Sequence, residues 1–83
     1  MTDSVSFRQR EILYFIAEFW TDKGFSPTLR EIMTGVYISS TSVVSYNLDE
    51  LEAQGFIKRT EGISRSIVPD WERMEDVIEL AEA

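Results

Sequence analysis

Two helix-start signatures of one kind fix where this chain begins to coil. Ser6-x-x-Gln9 and Thr28-x-x-Glu31 both have a hydroxyl that takes the main-chain amide three residues on, and a later side chain that reaches back to the first residue's amide. After Ser6, the apolar residues Ile12, Leu13, Ile16, Ala17, Phe19 and Trp20 recur at three- and four-residue spacings, the pattern of an amphipathic helix from Phe7 to about Trp20. Thr21-Asp22-Lys23-Gly24 stops it, because Gly24 permits the positive φ of a C-terminal cap. Pro27 disfavours helix at Ser26 and sharpens the second start. Leu29, Ile32, Met33 and Val36 then hold helical spacing for about two turns, before Gly35 and the β-branched stretch to Ile38 weaken it. Ser39 and Ser40 break the pattern, and Ser40 is the preferred cap of a third helix from Thr41.

In that third helix Val44, Leu48 and Leu51 form one stripe, with Ser42, Tyr46 and Asp49 opposite and Val43, Ser45 and Glu50 flanking. Gly55 ends it. The period then changes. Phe56–Thr60 and Ser64–Val68 are two β-prone runs around Glu61-Gly62-Ile63, a hairpin with basic residues on both arms that Pro69 closes. From Asp70 to Ala83, Trp71, Met74, Ile78 and Ala81 keep helical spacing. The expected fold class is α+β: a three-helix winged helix-turn-helix with a C-terminal β-hairpin wing, plus an extra C-terminal helix. Residues 1–68 make the domain, and residues 69–83 an acidic amphipathic helix.

Composition narrows the chemistry. Without Cys or His the sequence excludes disulfide frameworks, thiol nucleophiles, zinc sites and imidazole acid–base mechanisms. Gly24, Gly35, Gly55 and Gly62 are spaced as turns and caps, not as a phosphate loop. No catalytic residue and no cofactor are expected, and Glu72, Glu75, Asp76 and Glu79 read as a solvated acidic face, not a metal site. The chain lacks a signal-peptide pattern and any apolar run near ~18 residues, so no membrane role is expected and a cytoplasmic location is. At 83 residues one small core supplies only about 3–5 kcal/mol of net stability.

Charge is distributed unevenly. The total is −7, but residues 1–67 carry a net of −2 and residues 68–83 a net of −5. The leading face of the third helix presents Thr41, Ser42, Val43, Ser45 and Tyr46 without charge, and Asp49, Glu50 and Glu52 come only in later turns. A recognition helix enters the major groove by its N-terminal residues, with its dipole toward the polyanion. The carboxylates therefore fall where they repel DNA least.

Three segments then carry a family resemblance: Phe7-Arg8-Gln9-Arg10-Glu11-Ile12-Leu13, Gly24-Phe25-Ser26-Pro27-Thr28-Leu29-Arg30-Glu31-Ile32, and Leu48-x-x-Leu51-x-x-x-Gly55-Phe56-Ile57-Lys58-Arg59 followed by Ser64-Arg65-Ser66-Ile67. In this order and spacing the chain resembles, over roughly residues 5–68, the N-terminal DNA-binding domain of LexA-type repressors of the SOS response. The resemblance implies a transcriptional repressor that binds a palindromic double-stranded operator as a homodimer, with the third helix in the major groove and the wing on phosphate or minor groove. Carried over by position, the base-reading residues are Ser40, Ser42, Val43, Ser45 and Tyr46, with Val43 suited to a thymine methyl. The backbone contacts are Arg8, Arg10, Arg30, Thr41, Lys58, Arg59 and Arg65.

Departures from the family bear on these expectations. Tyr37 stands where the family usually has a turn glycine, and a bulky residue at positive φ costs about 1–2 kcal/mol, so a reshaped turn using Gly35 is expected. Positions that are acidic in some members are here Ser45 and Tyr46, so no operator sequence carries over. The family's self-cleaving C-terminal domain with its Ser–Lys dyad does not fit in residues 69–83, which leaves an excerpted domain or a stand-alone regulator. The tail itself has three readings: docking on its own domain, binding a protein partner, or pairing with a second copy through Trp71, Met74, Ile78 and Ala81, which is preferred. The alternative function is a winged-helix protein–protein adaptor acting through that acidic tail.

Overall fold

The computed structural model describes residues 5–75. The helix-start signatures act as expected. At α1 (Phe7–Lys23), Ser6 Oγ accepts from the Gln9 amide at 3.1 Å while Gln9 Oε1 accepts from the Ser6 amide at 3.2 Å. At α2 (Leu29–Gly35) the same pair of bonds joins Thr28 and Glu31, and Ser40 caps α3 (Thr41–Ala53) through the Val43 amide. Gly24 closes α1 with φ 84°, a turn beyond the last periodic apolar position. The two-residue strands β1 (Ile57–Lys58) and β2 (Val68–Pro69) pair antiparallel, Ile57 opposite Pro69 and Lys58 opposite Val68. Residues 71–75 are again helical. This is the winged-helix order.

The apolar stripes meet in one core. Ile12, Leu13 and Ile16 of α1, Ile32 of α2 and Val44, Leu48 and Leu51 of α3 pack with Phe56, Ile57, Ile67 and Met74. Met74 is only 1% exposed, which corrects the expectation that it presents a dimer face: its thioether fills the core of its own domain. Asp70 starts this last turn, its carboxylate accepting from the Arg73 amide. Ile78 and Ala81 lie outside the described residues.

The wing is far less of a ladder than the two five-residue runs predicted. Residues 66 and 67 spend their polar groups elsewhere: Ser66 Oγ accepts from the Thr60 amide, the Ile67 amide donates to Ser26 Oγ at 3.0 Å, and Ile67 O accepts from Trp20 Nε1 at 2.8 Å. The returning arm is thus held by α1 and the α1–α2 connection, and only two residues remain to pair with β1.

The turn between α2 and α3 keeps its left-handed residue. Tyr37 sits at φ 60°. Its amide donates to Thr34 O at 3.4 Å and the Ile38 amide to Met33 O at 3.0 Å, the paired bonds of a Schellman cap. The end of α3 repeats the motif with Gly55 at φ 85°, its amide on Glu52 O and the Phe56 amide on Leu51 O. The turn is therefore not rebuilt around Gly35, whose missing side chain makes room for α1 instead, since a Cβ there would lie 2.1 Å from Phe15 Cε1. Because the Tyr37 side chain is 92% exposed, removing it loses no packing. Tyr37→Gly is expected to relieve the backbone strain for a net gain of roughly 0.5–1 kcal/mol, read as a rise of about 2–8 °C in Tm; a fall would show that the ring holds something in place.

Candidate nucleic-acid interface

The helix-turn-helix sets α3 with one face in the core and one in solvent. Thr41, Ser42, Val43 and Tyr46 are exposed, Val43 by 43% and Tyr46 by 62%. Ser40 is engaged as the cap. Ser45 is half-buried and lines a cleft of about 610 Å³ between α3 and the wing, together with Asp49, Glu52, Arg59 and residues 60–64. Thr41, Ser42, Val43 and Tyr46 thus present an exposed neutral face, while Ser45, Asp49 and Glu52 border the cleft beside the wing.

A polar pair missed in the sequence seats this helix. Gln9 and Asn47 are both buried, and Gln9 Nε2 donates to Asn47 Oδ1 at 3.1 Å while Asn47 Nδ2 donates to Val43 O at 2.8 Å. Gln9 therefore serves the α1 cap with its oxygen and α3 with its nitrogen, which a glutamate in the same box cannot do. The signal was present: Asn47 interrupts the Val44, Leu48, Leu51 stripe on its buried side. The contact brings the first turns of α1, with Arg8 and Arg10, beside the middle of α3. Arg8 lies 3.6 Å from Glu11 and stays half-exposed. Arg10 is half-buried, and its Nε has no hydrogen-bond partner among the described residues.

The wing cations differ from one another. Lys58 is exposed and has no ion pair among the described residues. Arg59 binds back to α3: its Nε donates to Glu52 Oε1 at 3.0 Å and its Nη2 to Asp49 Oδ1, with Nη2 also 2.9 Å from Glu52 Oε1 as an ion pair. Desolvation works against this guanidinium's charge, but the Asp49 and Glu52 hydrogen bonds outweigh it and raise its pKa above the ordinary arginine value. Arg65 binds back to α2 and the α1–α2 connection. It grips both Glu31 oxygens at 3.0 Å, donates to Ser26 O at 2.8 Å and lies 5.0 Å from the Phe25 ring centroid. Sequence reading could not see these pairs, since Arg65 and Glu31 lie 34 positions apart. Arg30 is exposed and lines a groove between α1 and α2 with Phe15, Phe19 and Trp71, away from the α3–wing cleft.

Glu31 links the α2 cap to the wing. The Arg65 hydrogen bonds, and after them the Thr28 amide, hold its carboxyl below the usual glutamate range. With the folded-state pKa depressed, the stabilisation is complete above the unfolded pKa and disappears as pH falls through the folded one. Acidification from about pH 6 to about pH 3 is therefore expected to lower Tm more in the wild type than in Glu31→Gln, which keeps the capping box but has no proton to gain. Equal slopes in thermal melts of the two would remove this linkage.

Three helices, a capped turn leading into a helix with a neutral exposed face, and a wing latched to the body define a winged helix-turn-helix domain. The family model described as the LexA DNA binding domain matches residues 2–66. The chain belongs to that family. It is similar to the LexA repressor of Roseiflexus sp. (strain RS-1), 53% identical over 66 residues, which cover 80% of this chain and 30% of that protein. It is similar also to the LexA repressors of Herpetosiphon aurantiacus, 46% identical over 76% of this chain and 29% of that protein, and of Clostridium kluyveri, 45% identical over 81% and 33%. The chain thus spans about a third or less of the length of these curated relatives. Among the described residues no helix is long and apolar enough to cross a membrane.

Proposed function

We propose that this chain binds double-stranded DNA as a repressor's operator-reading domain, two copies on a palindromic site. The supporting observation is the exposed face of α3, neutral from Thr41 to Tyr46, with Asp49 and Glu52 beyond it engaged by Arg59 of the wing. A helix so arranged offers its dipole and first turns to a polyanion and keeps repulsion at a distance. Ser42, Val43 and Tyr46 read base edges, Val43 through a thymine methyl; Ser45 contributes from the cleft side and Ser40 from the cap. Thr41, Arg8, Arg10 and Lys58 bind phosphate and set register, and Arg30 extends the contact only if the duplex reaches the α1–α2 side. The second copy is required because a protomer with so few uncommitted cations binds weakly by charge alone. Of the four tail residues expected at a dimer contact, Trp71 remains eligible among the described ones, 48% exposed.

Selection of bound sites from random duplexes, followed by titration at ~50 and ~200 mM salt, tests this reading. A palindromic consensus is expected, with affinity falling steeply as salt rises. Ser42→Ala and Tyr46→Ala should each weaken the selected site by roughly 1–3 kcal/mol and relax preference at one position, with binding to unrelated duplex unchanged. Absence of any complex at the lower salt, or unaltered occupancy in both variants, rejects DNA reading by α3 and leaves the adaptor function.

A further inference from the structure

The cluster of Asp49, Glu52 and Arg59 deepens that reading and rests on it. We propose that it is a specificity device: the two α3 carboxylates withhold Arg59 from phosphate, so that the wing grips DNA through Lys58 while Arg59 holds the wing at a fixed setting against the reading helix.

Geometry supports this division between two adjacent cations. Arg59 has its Nε and Nη2 committed to Glu52 and Asp49, and its side chain is 23% exposed. Lys58 is exposed and has no carboxylate within ion-pair distance among the described residues. The cluster holds two negative charges against one positive. Moving Arg59 to a phosphate would uncover both carboxylates beside a polyanion, so the exchange is opposed even where the phosphate is near. Sequence-independent affinity comes from cations that displace counterions. A cation fixed within the protein contributes nothing to it, yet it still ties β1's exit to α3 across the cleft that Ser45, Asp49 and the wing line. Holding that angle favours binding where α3 and wing engage together, and withholding the charge keeps binding to other sequences weak.

The test compares the full 83-residue chain with Asp49→Asn/Glu52→Gln and with the triple variant that adds Arg59→Gln, on the selected duplex and on one of unrelated sequence. Circular dichroism establishes that each is folded, and the single Glu52→Gln variant, which removes the charge facing both Nε and Nη2, serves should the double not be. The double variant is expected to bind unrelated duplex more tightly, with a log–log salt slope steeper by about 0.9. Across a fourfold rise in salt that is an additional loss of about 3.5-fold, and the ratio of specific to non-specific affinity falls. Adding Arg59→Gln should return the slope to the wild-type value. Removal of acidic repulsion alone would leave the triple variant as steep as the double, and that result overturns the proposal, as does a wild-type slope already reduced by Arg59→Gln on its own. Wild-type binding with no change in the double variant overturns the clamp and spares the DNA reading, whereas a chain that binds no duplex in any form overturns both.

Discussion

Gly35→Ala is expected to lower stability by about 1–3 kcal/mol, even though the same change in an exposed helix usually gains up to about 1 kcal/mol. Sterics decide the sign. The added Cβ would meet Phe15 Cε1, Cδ1 and Cζ at 2.1, 2.5 and 2.7 Å, so the whole ring must leave its place. On one side it meets Phe19, 5.8 Å away centroid to centroid, with Phe25 5.7 Å beyond Phe19 and Arg65 over Phe25; on the other it borders the groove between α1 and α2, where moving costs it the packing it now has. A displacement toward Phe19 would run along that aromatic row to the wing latch. For a domain with only about 3–5 kcal/mol in reserve, urea midpoints will show the loss readily. The Phe15→Ala background supplies the control: with no ring to meet, Gly35→Ala should become neutral or stabilising there, giving a coupling in the double-mutant cycle of about 0.5–3 kcal/mol. A higher midpoint for the single variant would mean that the ring swings aside freely.

Ser26→Ala is the second large effect, about 1–3 kcal/mol, from an atom that touches no proposed ligand. Ser26 is 2% exposed, and its Oγ accepts from the Ile67 amide in a buried setting. Alanine leaves that amide without a partner and out of reach of water, which costs more than the bond itself contributes. Trp20 Nε1 still holds Ile67 O, so the arm loosens on one side only. Trp20→Phe combined with Ser26→Ala should loosen it further, leaving the Arg65 bonds to Glu31 and Ser26 O and the buried Ile67 side chain to hold it. Hydrogen exchange at the Ile67 amide reads this directly: rapid exchange in Ser26→Ala with α3 amides still protected is expected, and protection equal to wild type would show another acceptor taking over.

What was legible in the sequence is what depends on neighbours within one or two helical turns. Ser6, Thr28 and Ser40 declare their caps because the amides they bind are three residues away, and Val44, Leu48 and Leu51 declare the buried face of α3 by spacing alone. The family resemblance is shown by the family match over residues 2–66. What escaped depends on distant partners. Whether Arg59 and Arg65 are available to phosphate turns on carboxylates 7 to 34 positions away, and nothing local marks them as engaged. Gly35 was read as a source of backbone freedom when its function is to leave space for a ring from another helix. The wing was expected as an even ladder because β-prone runs do not reveal that Ser26 and Trp20 compete for the same main-chain groups.

Gln9 joins the start of the chain to the middle of the helix proposed to read DNA. Disturbance at Ser6 is therefore transmitted to Asn47 and from there to the Val43 carbonyl. The geometry of the α1 start and that of the helix proposed to read DNA are therefore set together through one glutamine side chain, although 38 positions separate Gln9 from Asn47.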